Sequence, residues 1–312
     1  MTQPPSRLLV AAHRGAALEG RRAYLLARGY EVHASRTLRE TVRLLGASRP
    51  ALLVLDPLTR GDEELAALDL ARASVPLLLL AARDDREAPL RAARTLTSGV
   101  FELLFHDARD EELELALQRL LAHARLLSEM EALRHSASHD DRTDLLRPLA
   151  FQDRLVEHFS AAQRHKLELA FVLLDLDKFG AINKRHDHTV GDRLIEKVGE
   201  VIRKNLRTED VAGRLGGDEF AVLLPYTGKI NAARVVGRLR SEIARLSGHI
   251  DGAEEPVPVS ASIGFETYDG SDLDTSDTLR LHAETALRQA KRRGGDQALY
   301  FRNLPLEGEA VG

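Results

Sequence analysis

Arg214-Leu215-Gly216-Gly217-Asp218-Glu219-Phe220, followed at once by Ala221-Val222-Leu223-Leu224-Pro225, decides how the rest of the chain is read. Val211-Ala212 leads in and an apolar run leads out, so two glycines and two acids sit where the chain must reverse. The pattern predicts a β-hairpin whose turn carries carboxylates. Glycines in such a turn can take positive φ and leave the backbone open to a bulky anion, while Asp218 and Glu219 offer hard oxygens to Mg2+. On their own, these four residues suit an ordinary polar turn equally well. Upstream, Ala170-Phe171-Val172-Leu173-Leu174 is an apolar, partly β-branched run that ends in Asp175-Leu176-Asp177. On adjacent strands of one sheet, Asp175 and Asp218 would lie within reach of the same cation, with a phosphate supplying the remaining oxygens.

These stretches resemble the GGDEF family of diguanylate cyclases, which condense two GTP molecules into cyclic di-GMP and release pyrophosphate. The resemblance covers residues 140–302. The family's opening signature, D-x-L-T-G-L-x-N-R-x-x-F, is met in degenerate form by Asp140-Asp141-Arg142-Thr143-Asp144-Leu145-Leu146-Arg147-Pro148-Leu149-Ala150-Phe151. The core is closer: Asp175-Leu176-Asp177-Lys178-Phe179-Gly180-Ala181-Ile182-Asn183, then His186-Asp187-His188 and Gly191-Asp192-Arg193-Leu194, keep the family's spacing without a gap.

The resemblance implies a role for each residue. Asp175, the Leu176 carbonyl and Asp218 would bind two Mg2+ (or Mn2+) ions per active site. Glu219 would be a further ligand or the catalytic base beside Asp218, and Asp177 would only support them. Two-metal phosphoryl transfer needs one cation to activate the 3′-hydroxyl and another to neutralise the leaving pyrophosphate. Gly216 and Gly217 would admit the nucleotide, and the amides around Phe179-Gly180 would cradle phosphate. Asn183 and Asp192 would read guanine, since a carboxylate accepts from N1–H and N2–H whereas adenine offers no such donor pair. Asp192 also suits a helix N-cap ahead of the helical pattern Leu194–Arg203. Ala283-Glu284-Thr285-Ala286-Leu287-Arg288-Gln289-Ala290-Lys291 matches A-D-x-A-L-Y-x-A-K with two changes, and Lys291 would reach the triphosphate as a point charge.

Two departures bear on affinity. Gly180 stands where a Lys is common, and Gly294-Gly295-Asp296 replaces G-R-N. Two missing phosphate-side cations would weaken GTP binding by up to a few kcal/mol, on the order of an unpaired charged hydrogen bond, unless Arg292 or Arg293 compensates. Arg207-Thr208-Glu209-Asp210 has the spacing of the family's inhibitory R-x-x-D site, which implies cyclic di-GMP as product and inhibitor at Arg207, Asp210 and Arg238. The same residues suit a surface i, i+3 ion pair. Because each catalytic domain holds one GTP and the product is two-fold, a homodimer is implied. A catalytically inactive GTP or cyclic di-GMP receptor, signalling through its N-terminal half, is the alternative.

At 312 residues the chain is long enough for two domains, and 44% hydrophobic with 29% charged residues is a globular composition. The absence of cysteine excludes disulfides and thiolate metal sites, and with no signal-peptide core in the first ten residues a cytoplasmic protein is expected. The longest apolar runs, Ala51–Leu55 and Pro76–Ala82, are strand length, so no membrane partner is expected. A net charge of −4 without a basic, aromatic-studded patch points away from nucleic acid.

The N-terminal half alternates strands (Arg7–Ala12, Tyr30–Ala34, Ala51–Leu55, Pro76–Leu80, Val100–Leu104) with helical patterns (Gly15–Arg28, Leu38–Leu45, Glu63–Ala73, and one ending near Gly99). A (βα)5 order predicts a flavodoxin-like parallel sheet covered on both faces. It resembles a response-regulator receiver domain, with Asp56 where that family carries its phosphoacceptor. Ala11-Ala12-His13 replaces the paired acids, Ala81 or Ala82 the Ser/Thr, and His106 the Lys. Without that metal and cation Asp56 is expected to stay unmodified, and before Pro57 it also suits a turn acid.

From Glu111 to about His139 the pattern is helical without Pro or Gly. Leu113, Leu117, Leu120, Ala124 and Leu127 recur at four-three spacing, and Leu126, Met130, Leu133 and Ala137 continue a shifted stripe, like a stutter in a coiled coil. A single helix packed on its own domain is the alternative. His135 and His139, one turn apart, suit a solvated face better than zinc. The expected organisation is α/β: a receiver-like domain over 1–122, a coiled-coil signalling helix over 123–141, an α+β, nucleotidyl-cyclase-like GGDEF domain over 142–302, and a flexible tail over 303–312.

Overall fold

The computed structural model describes residues 6–11, 22–55, 62–72, 75–83, 87, 90, 94–96 and 99–305. The chain divides into two units, Met1–Ala132 and Leu133–Gly312. Ala12, His13, Asp56, most of the helix expected before Gly99, and residues 306–312 of the expected tail lie outside the described residues. Among the described residues no helix is long and apolar enough to cross a membrane.

The N-terminal unit is built on strands β1 (Arg7–Ala11), β2 (Glu31–Ser35), β3 (Leu52–Leu55), β4 (Leu77–Ala81) and β5 (Phe101–Phe105), interleaved with helices α1 (Arg22–Ala27), α2 (Leu38–Ser48), α3 (Asp62–Arg72) and, last, α4 (Asp110–Ser138). All strand pairs are parallel, in the order β2-β1-β3-β4-β5. The central strands β1, β3 and β4 carry almost nothing but Leu, Val and Ala because both of their faces are covered. The period of two divides them cleanly. Leu8, Val10, Leu52, Val54, Leu78 and Leu80 pack with Leu113, Leu117 and Leu120 of α4, while Leu9, Leu53, Leu55 and Leu79 pack with Leu45 of α2 and Leu65 and Leu68 of α3. Each fully buried leucine contributes about 1.5–3 kcal/mol to that core.

Helix α4 divides the stripe read from its sequence. Leu113, Leu117 and Leu120 are buried in the core of the N-terminal unit, so the first half is a packed helix. Beyond it Leu126 (60%), Met130 (47%) and Leu133 (70%) are exposed.

The C-terminal unit adds α5 (Pro148–His165), β6 (Leu169–Leu176), α6 (Phe179–His186), α7 (His188–Asn205), β7 (Val211–Gly216), β8 (Glu219–Pro225), α8 (Lys229–Ala244), β9 (Ala261–Tyr268), α9 (Ser276–Arg292), β10 (Ala298–Tyr300) and a 3-10 turn, Phe301–Asn303. The sheet order is β10-β9-β6-β8-β7; β10 pairs with β9 in parallel and the other pairs are antiparallel. Central β6 is buried throughout. On one face Ala170, Val172 and Leu174 meet Leu194, Val198 and Ile202 of α7 and Val236 and Leu239 of α8. On the other, Leu169, Phe171 and Leu173 meet Phe151, Leu155 and Phe159 of α5 and Leu279 and Leu287 of α9.

Helix α7 begins earlier than its apolar stripe predicts. Its cap is Asp187, held at φ 84°, whose carboxylate accepts from the Thr189 amide at 2.7 Å. Asp192 therefore sits inside the helix, and the N-cap reading of that residue is corrected. Gly191 lies within α7 for a steric reason: a Cβ there would fall 1.8 Å from the Asn183 Oδ1 atom of α6.

Candidate active site

The hairpin forms where the sequence places it. Gly216 pairs with Glu219, so Gly217 and Asp218 make the turn, and Gly217 takes φ +43°, which glycine adopts at no steric cost. A Cβ on Gly216 or Gly217 would meet nothing within 4 Å, so packing within the chain does not explain the two glycines. The space they leave faces outward.

Register brings the acids together. On β6, Asp175 stands opposite Glu219 of β8 and opposite Ser262 of β9. The sequence put Asp175 just past the strand, but β6 continues through Leu176, and Asp175 is only 5% exposed. Lys291 of α9 reaches it, with Nζ 2.6 Å from Oδ2. Burial pushes the Asp175 carboxyl up to about 6; the Lys291 ammonium opposes that shift, and the charges of Asp218 and Glu219 reinforce it. Lys291 thus pairs with Asp175 while the negative charges of Asp218 and Glu219 act on the same carboxyl, and a divalent cation would balance that excess. Among the described residues no three acidic or imidazole side chains form a ready-made cage. The protein donors suit Mg2+ nonetheless, because that ion is commonly held by one or two carboxylates with phosphate and water oxygens completing its octahedron.

Asp177 has a separate task. Its carboxylate accepts from the Ser260 and Ser262 hydroxyls, both at 2.7 Å, and from the Asp296 amide at 2.8 Å. It ties β6 to β9 and to the loop after α9. Gly295 in that loop takes φ +82°, and a Cβ there would lie 2.8 Å from Asp177 Oδ1; at Gly180 a Cβ would meet nothing. Phe179 and Gly180 open α6, where unpaired helix amides favour an anion. Arg292 and Arg293 are exposed.

The segment before α5 carries connections that spacing alone does not reveal. Leu146 donates its amide to Ala212 and accepts from Arg214, lacing this segment to the edge strand β7. Asp140 accepts from the Thr143 amide (3.0 Å) and hydroxyl (2.8 Å) and from Arg214 Nη1 (3.2 Å). Arg214 in turn donates to the Gly217 carbonyl through Nη2 at 2.7 Å and Nε at 3.1 Å. Burial alone would raise the Asp140 carboxyl, but the Thr143 donors and then Arg214 outweigh it and hold it below the ordinary value. The degenerate signature thus braces the turn that carries Asp218.

Asn183, Gly191 and Asp192 come together across α6 and α7. Asn183 Oδ1 is buried with no hydrogen-bond partner in the protein, and Asp192 pairs with Arg142 at 2.7 Å. Arg142 stands where the quoted signature has Leu, and that departure was the one visible signal for this contact.

Arg207 and Asp210 form a turn rather than an ion pair. The Asp210 carboxylate accepts from the Arg207 amide at 2.9 Å, and the Arg207 guanidinium points elsewhere, 3.9 Å from Glu209. Burial pushes the Asp210 carboxyl up, against the Arg207 amide and the charges of Arg207 and Arg238. Arg238 donates to the Asn205 carbonyl at 2.8 Å. The turn borders a cavity of about 690 Å3 also lined by Arg154, His158, Arg203 and Tyr226. Elsewhere, the His135 and His139 rings stack at 4.0 Å, and His135 bonds Asp144 at 2.7 Å.

The GGDEF family model, described as "Diguanylate cyclase, GGDEF domain", matches residues 137–297. Diguanylate cyclase TpbB of Pseudomonas aeruginosa is 36% identical over 184 residues, covering 58% of this chain and 42% of that protein. The bifunctional diguanylate cyclase/cyclic di-GMP phosphodiesterase MucR of the same species is 35% identical over 165 residues, covering 53% of this chain and 24% of MucR. The chain thus spans less than half the length of these curated relatives. Among solved structures, the coiled coil and GGDEF domain of DgcB from Caulobacter crescentus, in complex with c-di-GMP, superposes with a TM-score of 0.56 at 25% identity, covering 62% of this chain and all of that one. With a family match over just over half of its 312 residues, this chain belongs to the GGDEF family of diguanylate cyclase domains.

Proposed function

We propose that the protein is a diguanylate cyclase that condenses two GTP molecules into cyclic di-GMP as a homodimer. The observation that carries this reading is the buried Asp175, opposite Glu219, near Asp218, and held by Lys291 at 2.6 Å. Asp175, Asp218 and the Leu176 carbonyl would hold Mg2+ or Mn2+, which when bound activates the 3′-hydroxyl and neutralises the leaving pyrophosphate. Glu219, opposite Asp175, would be a further ligand or the base that takes the 3′-hydroxyl proton. The amides of Phe179 and Gly180 and the Lys291 ammonium would bind the phosphates, with Gly216 and Gly217 leaving them room. Asn183 and Asp192 would hold the guanine. In each half-reaction an O3′–Pα bond forms, the Pα–O bond to pyrophosphate breaks, and the hydroxyl proton goes to the base.

Two GTP molecules must face each other across a two-fold axis, so dimerisation belongs to the mechanism. Residues 1–122 are proposed as a receiver-like dimerisation or sensing domain and 123–141 as the coiled coil; the exposed Leu126, Met130 and Leu133 support a partner helix there. The solved DgcB fragment likewise pairs a coiled coil with a GGDEF domain. Arg207, Asp210 and Arg238 are proposed as the site of product inhibition, supported by the adjoining cavity. GTP would be drawn from the cytoplasm.

Gly180 and Gly295 favour a second reading, a receptor that binds GTP or cyclic di-GMP without turnover, because both withhold a phosphate-side cation. The test is incubation of nucleotide-free protein with GTP and Mg2+, with chromatographic detection of cyclic di-GMP beside Asp218→Ala. Product from the parent and none from the variant supports the cyclase. Nucleotide binding without product from either protein supports the receptor.

A further inference from the structure

Arg142 and Asp192 form a contact that folding does not explain. Arg142 Nη1 lies 2.7 Å from Asp192 Oδ1, and the two side chains are 48% and 39% exposed. An ion pair so open to water contributes about 0–1 kcal/mol to stability. Its surroundings, however, are built for a ligand. Asp192 follows Gly191, whose missing Cβ makes room for Asn183, and Asn183 Oδ1 is buried there as an acceptor with no partner in the protein.

We propose that Arg142 is a specificity-determining residue that reads O6 of the guanine base, so that Arg142 and Asp192 act as one composite edge. This rests on the reading above that GTP binds at Asn183 and Asp192. Guanine presents an acceptor at O6, a donor at N1–H and donors at N2. The free lone pairs of the Asp192 carboxylate take N1–H and N2–H, and a remaining N–H of the Arg142 guanidinium, held beside that carboxylate, takes O6. Two acceptors followed by a donor is the face that cytosine offers to guanine. Adenine, with a donor at N6 and an acceptor at N1, meets a donor where it needs an acceptor and an acceptor where it needs a donor. A lone carboxylate leaves O6 unread, and Arg142 supplies that missing contact.

The test is equilibrium binding of GTP, 6-thio-GTP and ATP to the 312-residue chain, with Ca2+ replacing Mg2+ to prevent turnover, for the parent, Arg142→Leu, Arg142→Lys and Asp192→Asn. Thermal melts confirm that each variant is folded. Arg142→Leu should weaken GTP about ten-fold, in the range of one good base-edge contact, and Arg142→Lys should recover part of the loss. Binding of 6-thio-GTP, whose sulfur is a poor acceptor, should change less than about two-fold, as expected for a contact that is already weak. Unchanged or tighter GTP binding by Arg142→Leu would overturn the proposal, the tighter case meaning that Arg142 competes with the base for Asp192. If Asp192→Asn weakens GTP but neither Arg142 variant does, only the role of Arg142 falls. If the parent binds no GTP, the nucleotide site itself falls, and this inference with it.

Discussion

In the N-terminal sheet the apolar strands β1 and β4 end in Ala11 and Ala81, whereas in the C-terminal sheet the equally apolar β6 carries Asp175 one residue before its end, opposite Glu219. Both sheets bury their central strands on two faces, with leucine, valine and alanine on β1 and β4 and a similar apolar set on β6, joined there by Phe171, and helices close over each. The core residues are therefore nearly interchangeable in kind, and what separates the two regions is a handful of side chains at strand ends. Alanine there leaves no charge to stabilise phosphoryl transfer, while a buried carboxylate paired with an ammonium at 2.6 Å and flanked by the charges of Asp218 and Glu219 leaves an excess of negative charge that a divalent cation can satisfy.

The strongest way to break this contrast is to make the two strand ends alike. Asp175→Asn or Asp218→Ala should cut cyclic di-GMP formation by about a thousand-fold or more, the several kcal/mol a catalytic metal supplies, measured as kcat against GTP. If either variant keeps most of the activity, Asp175 and Asp218 are not the chemical centre.

A smaller effect is expected at the brace behind the turn. Asp140→Ala or Arg214→Ala should lower kcat by about ten- to a hundred-fold and destabilise the C-terminal unit by about 1–3 kcal/mol, the cost of leaving a charged hydrogen-bonding partner unpaired. Asp140 lies below its ordinary pKa in the folded protein, so its contribution is present above the unfolded value and disappears as pH falls through the folded one. Denaturant melts should therefore show a constant gap between parent and Asp140→Ala above about pH 4, the ordinary carboxylate range, and a gap that narrows progressively as pH falls below it, through the lower folded-state value.

Gly180→Lys sharpens the contrast by adding charge to the C-terminal site. A side chain at Gly180 has open space, so the variant should fold normally and lower the KM for GTP by up to about ten-fold, the range of an exposed charged contact to phosphate. Gly295→Arg should not match it, because Gly295 takes positive φ against Asp177.

The smallest effect belongs to the N-terminal unit. Incubation with acetyl phosphate should leave the intact mass unchanged, and Asp56→Ala should leave turnover unchanged. A stable phosphoryl adduct at Asp56 would mean that Ala81 and its neighbours do not disable the proposed receiver-like domain.

Much of this molecule is legible in its sequence, for identifiable reasons. The strands of the N-terminal sheet and β6 follow from apolar runs of strand length, and the hairpin from Gly216-Gly217 between two such runs, because burial and turn chemistry are local in sequence, whereas β9 and β10 are not read from it. Lys291 reaches Asp175, and Asn183 meets Gly191 beside Asp192, because the spacing along α6, α7 and α9 fixes their faces. The early start of α7 was hidden because its glycine looks like a breaker; only the tertiary contact with Asn183 makes Gly191 a fit for the helix. Helix α4 reads as one stripe, yet Leu113, Leu117 and Leu120 serve a core while Leu126, Met130 and Leu133 face outward, a division periodicity cannot express. The contacts of Arg142 with Asp192 and of Asp140 with Arg214 join residues far apart in the chain, and no local pattern encodes them.

The most direct measurement is a crystal structure of the protein with Mn2+ and a slowly reacting GTP analogue carrying sulfur on the α-phosphate, with anomalous data collected at the manganese edge. Manganese peaks bounded by Asp175, Asp218 and the Leu176 carbonyl, with the base against Asn183 and Asp192, are the predicted result. Nucleotide and manganese bound away from Asp175 and Asp218, or no manganese at saturating concentration, would contradict it.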